Sequence, residues 1–98
     1  MIRGTTPTIS YTLAFDTSLI EAAYITIRSK DVEVEKSIKD CVLSENTISA
    51  TLTQEETLKL PPSQIATVQL RVRTKAGDAS ATPKLQIKVE DILKEGVI

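Results

Sequence analysis

Glu33 and Glu35 stand two residues apart in an alternating stretch, so on an extended strand both carboxylates point to one side. Carboxylates so placed could share acid and base work or lend oxygens to a calcium ion. No DxDxDG-like run supplies the remaining oxygens, and a charged strand guarding a sheet edge accounts for the pair without a site. Glu55 and Glu56 sit where a helical turn begins, a place where the backbone dipole favours negative charge. A second group is basic: Arg71, Arg73, Lys84 and Lys88, which share one face of a two-strand ribbon with Gln69 and Gln86. That face is either simply solvated or a docking surface for an acidic strand such as Glu33-Val34-Glu35 on another copy or another protein. A contact of that kind joins unlike patches, closes into rings or extends into stacks, and weakens with salt.

Much other chemistry is removed by composition. The chain has no histidine and one cysteine, Cys41, which leaves no zinc finger, CxxC redox pair, internal disulfide or histidine-based triad. Cys41 lies in Asp40-Cys41-Val42-Leu43 and reads as a small buried hydrophobe. The three glycines, Gly4, Gly77 and Gly96, do not form a phosphate-cradling loop between a strand and a helix. No catalytic residue, cofactor or metal site is therefore expected, and the chain reads as a non-enzyme. Twelve basic and thirteen acidic side chains give a net charge of -1, too little field to draw the domain onto nucleic acid. Tyr11, Phe15 and Tyr24 are the only aromatics, too few for a base- or sugar-stacking platform. No apolar run approaches the ~20 residues of a membrane span, and the opening residues have no signal-peptide core. Nucleic acid and membrane are not expected partners.

The positioning elements follow from the period-two pattern. Ile9, Tyr11, Leu13 and Phe15 alternate with polar or small residues after Pro7, which predicts a first strand ending at Asp16-Thr17-Ser18. Leu19 to Ala22 fits a helical turn or a loop; Ala23, Ile25 and Ile27 then alternate with Tyr24, Thr26 and Arg28. Ser29-Lys30-Asp31 is the expected turn into a third strand carrying Val32 and Val34, placed at an edge by its glutamates. Asp40 to Ser44 and Thr47 to Thr53 form a hairpin around Glu45-Asn46, with Ile48, Ala50 and Leu52 inward. Thr53-Gln54-Glu55-Glu56 reads as a capping box. One or two helical turns follow to about Leu60, where Pro61-Pro62 ends them.

The strongest signal is Ala66 to Val89. Ala66, Val68, Leu70 and Val72 share one face, and so do Ala81, Pro83, Leu85, Ile87 and Val89 across the four-residue turn Lys75-Ala76-Gly77-Asp78. Pairing Thr74 with Ala79 sets Val72 opposite Ala81, Leu70 opposite Pro83, Val68 opposite Leu85 and Ala66 opposite Ile87. Pro83 also sends the last strand to an edge. About seven short strands with one helical turn near residues 54–60 predict an all-β domain, an immunoglobulin-like or fibronectin-like sandwich, with a partly open barrel as the rival. All 98 residues form one domain. The tail 90–98 carries Ile92, Leu93, Val97 and Ile98, which the strand pattern leaves over, and packs on its own domain or on a neighbour.

The opening Met1-Ile2-Arg3-Gly4-Thr5-Thr6-Pro7-Thr8, the segment Thr12-Leu13-Ala14-Phe15-Asp16-Thr17-Ser18-Leu19-Ile20, Leu52-Thr53-Gln54-Glu55-Glu56-Thr57-Leu58, Val68-Gln69-Leu70-Arg71-Val72 and the ending Gly96-Val97-Ile98 together carry a resemblance. Across nearly its whole length the chain resembles a family of short proteins encoded in the tail and head-to-tail gene clusters of bacterial prophages. The resemblance implies a non-enzymatic virion or assembly component, made in the host cytoplasm and then part of the virion. Its partners would be other phage structural proteins or further copies of itself. Arg71, Arg73, Lys84 and Lys88 on the ribbon, and Ile92, Leu93, Val97 and Ile98 on the tail, are the candidate contact residues. An immunoglobulin-like receptor- or carbohydrate-binding module is the alternative, with Tyr24 as its outward aromatic.

Overall fold

A computed structural model describes residues 1–98. Its strands are β1 (Thr8–Thr12), β2 (Ile20–Ser29), β3 (Val32–Ser37), β4 (Cys41–Ser44), β5 (Thr47–Thr51), β6 (Ile65–Thr74), β7 (Ala79–Ala81) and β8 (Leu85–Lys88), with helix α1 (Gln54–Lys59) between β5 and β6. They form two antiparallel sheets. One has the order β1-β5-β4; the other has the order β3-β2-β6-β7, with β8 also paired to β6. The chain is thus mostly β, and no helix is long and apolar enough to cross a membrane.

The alternation read from the sequence decides which side chains are buried. Ala23, Ile25 and Ile27 of β2, Ala66, Val68, Leu70 and Val72 of β6, and Ile48 and Ala50 of β5 join one apolar cluster that both sheets share. Ile9 and Tyr11 of β1, with Leu13 and Phe15 just beyond it, pack against the margin of that cluster. Leu60 and Val89 close its end with no exposed surface. The three buried polar side chains each have a carbonyl partner, because an unpaired hydroxyl in the interior is costly: Thr17 bonds Glu45 O at 2.8 Å, Ser29 bonds Ile65 O at 2.9 Å, and Thr57 bonds Thr5 O at 2.9 Å.

Helix α1 forms where the capping box predicts. Thr53 Oγ1 accepts from the Glu56 amide at 3.1 Å, and a Glu56 carboxylate oxygen accepts from the Thr53 amide at 2.8 Å. The helix ends at Leu60, before the two prolines. Glu56 also meets Lys36 of β3 at 2.6 Å, both side chains largely shielded from solvent. This pair ties α1 to the edge of the five-stranded sheet.

Register departs from the sequence expectation at two of the three tight hairpins; the β4–β5 turn Glu45-Asn46 is as expected. The turn after β2 has two residues, Lys30 and Asp31, with Lys30 in the left-handed region at φ 53°, and not the three expected. Ser29 therefore faces Val32, and Arg28 faces Glu33. After β6, the Thr74 amide bonds Asp78 O at 2.8 Å and the Gly77 amide bonds Thr74 O at 2.9 Å, closing a three-residue loop around Gly77 at φ 95°. Ala79 consequently faces Arg73, and Ala81 faces Arg71 on the outer side of the sheet instead of Val72 on the inner side. Beyond it, Leu70 pairs with Thr82 and not with Pro83: Leu70 O accepts the Thr82 amide at 2.9 Å, and Thr82 Oγ1 accepts the Leu70 amide at 3.1 Å. Pro83 cannot donate, so the ladder breaks there. The break takes up one extra residue and restores the expected Val68–Leu85 and Ala66–Ile87 pairs. That break divides the last expected strand into β7 and β8, so eight strands replace seven.

Two further differences concern the start of β2 and the burial of Cys41. Strand β2 starts at Ile20 with an irregularity between Ile20 and Ala22, so the ambiguous segment becomes a 3-10 turn, Thr17–Leu19, followed by strand. Cys41 is half-buried at the sheet edge, its Sγ donating to Ser37 O at 3.3 Å, and burial, with help from Asp40, pushes its thiol above the ordinary range.

Ile27→Ala should cost about 2–5 kcal/mol and Thr53→Ala about 1 kcal/mol in urea unfolding, since the first opens a core cavity and the second removes a helix cap. Burial pushes the Glu56 carboxyl up, but Lys36 and the Thr53 amide outweigh burial and leave it below its ordinary value. A carboxyl lowered in the folded state stabilises above its unfolded pKa of about 4.3 and loses that contribution as pH falls through the folded value. Glu56→Gln should therefore lower stability at pH 7 and flatten its decline below about pH 4, as followed by thermal unfolding across pH.

Candidate functional site

The outer face of the five-stranded sheet holds the main surface concavity, a hollow of about 870 Å³ with no apolar side chain in its lining. The strands that fill the core inward supply its wall outward, because successive side chains on β2 and β6 point to opposite faces. Glu33 and Glu35 of β3 line one side, Arg71 of β6 and Lys84 line the other, and Thr26, Arg28, Thr67, Gln69 and Gln86 form the floor. The acidic and basic groups of the sequence analysis thus lie on one face of one sheet, not on separate surfaces.

Charges in the hollow are not equally available. Arg28 Nη2 meets Glu33 Oε1 at 2.7 Å, a direct product of the two-residue turn that set them opposite each other. Glu35, Arg71 and Lys84 are exposed and have no ion pair, so the hollow is left with more free positive than negative charge. Arg73 lies beyond the hollow and is only loosely engaged by Glu21, at 3.7 Å. Lys88, opposite Ile65 at the far end of β8, extends the basic margin. Tyr24 is 45% exposed and sits directly across from Arg71 at the rim. Gln69 Nε2 donates to Thr82 O at 2.9 Å, fixing the hollow's floor to the ladder break at Pro83.

No group of three or more His, Cys, Asp or Glu side chains is placed to hold a metal ion. What the hollow can do with this arrangement is make hydrogen bonds and charge pairs to an extended polar surface.

The tail candidates divide. Ile92 is half-buried, close to Gly4 and Leu58, while Leu93, Val97 and Ile98 are exposed. Polar contacts hold the tail on its own domain. Arg3, which the sequence analysis did not single out, donates from Nε to Leu60 O at 3.0 Å, from Nη2 to Leu58 O at 2.9 Å and from Nη1 to both Asp91 and Glu95 at 2.7 Å. Glu95 first and Asp91 second hold its guanidinium above the ordinary value, and the Ile92 amide first and Arg3 second hold the Asp91 carboxyl below its own. Gln54 receives the Ile98 amide at 2.8 Å and donates to Ile98 O at 3.2 Å. The tail neither forms a helix nor projects freely, and no local pattern announces contacts that span 88 residues of sequence.

No family model matches the chain, and neither the curated proteins nor the solved structures contain a significant match.

Leu93→Ser and Val97→Ser should change unfolding free energy by less than about 0.5 kcal/mol, as exposed substitutions do. Arg3→Ala should cost about 1–3 kcal/mol because it leaves two helix-end carbonyls without their donor. Urea titration of the three variants checks the contrast.

Proposed function

We propose that this chain is a non-enzymatic structural or assembly component of a bacteriophage, acting in or on the tail by protein–protein contact through the charged hollow. The observation that carries the reading is the hollow's charge pattern. Once Arg28 and Glu33 neutralise each other, Glu35 is outweighed by Arg71 and Lys84, with Arg73 and Lys88 at the margin. An acidic surface on another structural protein therefore fits better than a second copy, whose own hollow carries the same excess of positive charge. The resemblance of the opening, central and closing segments to prophage tail-cluster proteins supports the setting.

The domain itself reads as an immunoglobulin-like sandwich. In that reading β1, β5 and β4 take the places of strands B, E and D, and β3, β2, β6 and β7–β8 take those of C′, C, F and G. The single helix then falls between E and F, and the N-terminal segment, where Ile2 pairs in parallel with Glu90, lies beside the end of G in the place of A′.

A second reading, a carbohydrate-binding accessory module, is favoured by Tyr24 at the rim beside Arg71. Glycan-array binding lost in Tyr24→Ala would support it over the first.

The test of the first reading is incorporation into particles. Wild-type chain should be found by mass spectrometry in particles purified from cells that carry the gene. Arg71→Glu combined with Lys84→Glu, both at exposed positions, should reduce incorporation at least tenfold while leaving the melting temperature unchanged. Absence of the wild-type chain from particles, or full incorporation of the double variant, would overturn the reading.

A further inference from the structure

The two sheets differ in how their free edges are protected. In the five-stranded sheet, β3 carries Glu33 and Glu35, and the opposite edge is broken by Pro83 and flanked by Lys84 and Lys88. Charges and proline on an edge are what keep other strands from pairing with it. The three-stranded sheet has neither within its edge strands. Its edge strand β1 reads Thr-Ile-Ser-Tyr-Thr, without charge or proline.

The hydrogen-bond phase of β1 follows from its flanks. Leu13 N bonds Asn46 O at 2.7 Å and Leu52 N bonds Pro7 O at 2.9 Å, so the odd-numbered residues exchange bonds with β5 and the even-numbered ones face the other way. The amides and carbonyls of Thr8, Ser10 and Thr12 therefore form an unpaired row.

Beside that row lies uncovered apolar surface. Leu85 pairs with Val68 and so points inward, yet Leu85 is 53% exposed and Val68 has no exposure. The cause is a mismatch of widths. β4 follows β3 through the short 3-10 turn Ile38–Asp40 and stands over that side, so three strands face four strand positions and β8 is left beyond β1. The β1 side chain Tyr11 reaches toward this region: its hydroxyl lies near Thr82 but is buried without a hydrogen-bond partner.

From these observations we infer that the β1 edge is a strand-addition site, which takes one extended segment of another protein with apolar side chains at alternate positions and no charge between them. The backbone row calls for a strand, since strand addition satisfies its donors and acceptors at the spacing they already have. Leu85 calls for an apolar side chain on the inward face of that strand. The outward face of the sheet here is Thr8, Ser10 and Thr12 alongside Thr47, Ser49 and Thr51, so hydroxyl side chains on the added strand would continue it without a buried charge. A second intact copy does not fit, because β8 occupies the space beneath the added strand and a copy pairing through its own β1 would bring its own β8 into it.

The experiment uses the full chain and a blocked peptide, Lys-Thr-Val-Ser-Val-Thr-Lys, against a control of the same composition, Val-Val-Lys-Thr-Ser-Thr-Lys. Residue-level hydrogen exchange should show the Ser10 and Thr12 amides slowed at least tenfold by the first peptide and not by the second. Ser10→Pro removes an amide that bonds nothing in the free protein, and Leu85→Asp changes an exposed residue; each should weaken binding of the first peptide at least tenfold. Should Ser10→Pro fail to fold, Leu85→Asp decides. No slowing at Ser10 and Thr12, equal binding of both peptides, or undiminished binding to Leu85→Asp would overturn the inference. Slowing at the same amides in the protein alone as its concentration rises would overturn it too, by showing that another copy occupies the edge.

Discussion

Strand β6 is paired along both sides, and its strict alternation is the constraint on which the rest depends. It bonds β2 from Thr67 to Thr74 on one side and β7 and β8 on the other. Ala66, Val68, Leu70 and Val72 then have to point one way, into the core, while Thr67, Gln69, Arg71 and Arg73 point the other way, onto the polar face. A slip of one residue would bury two arginines and expose four core side chains. Core and outer face are two readings of one strand, and neither can change register without the other.

Pro83 shows how that constraint is met locally. The hairpin closes one residue early because Gly77 adopts a left-handed conformation, which shifts Ala79 and Ala81 by one place relative to β6. Left uncorrected, the shift would put Leu85 and Ile87 on the polar face. The proline interrupts the ladder where Thr82 has already satisfied both backbone groups of Leu70 with its amide and its hydroxyl, so the extra residue is absorbed without leaving a buried donor unpaired.

The periodic features were legible in the sequence: the faces of β1, β2, β3, β5 and β6, the edge positions of β3 and the last strand, and the capping box at Thr53 and Glu56. Each rests on spacing within a few residues. Of the turn lengths only the two-residue Glu45-Asn46 connection was legible; Ser29-Lys30-Asp31 and Lys75-Ala76-Gly77-Asp78 are compatible with more than one loop, and one residue decides whether Arg28 meets Glu33. A proline between two apolar alternations is a signal for a ladder break, and at Pro83 it pointed to the edge without revealing the shift. The contacts of Arg3 join the N-terminal segment, the end of α1 and the tail, and depend on how the whole chain closes. At the hollow, period-two spacing groups Glu33 with Glu35 and Arg71 and Lys84 with Gln69 and Gln86, but it does not exclude Arg73 and Lys88 or bring in Thr26, Arg28 and Thr67, and the common face follows only from the strand order β3-β2-β6.

The central claim, that β6 is the doubly paired spine between core and polar face, is tested most directly by native-state hydrogen exchange resolved by residue. The account predicts that the amides of Val68, Leu70 and Val72 exchange only through global unfolding, with the unfolding free energy measured in urea, while those of Ser10 and Thr12 exchange at least a hundredfold faster. Exchange of the β6 amides at the rate of the β1 edge, or with a free energy well below that of global unfolding, would contradict it.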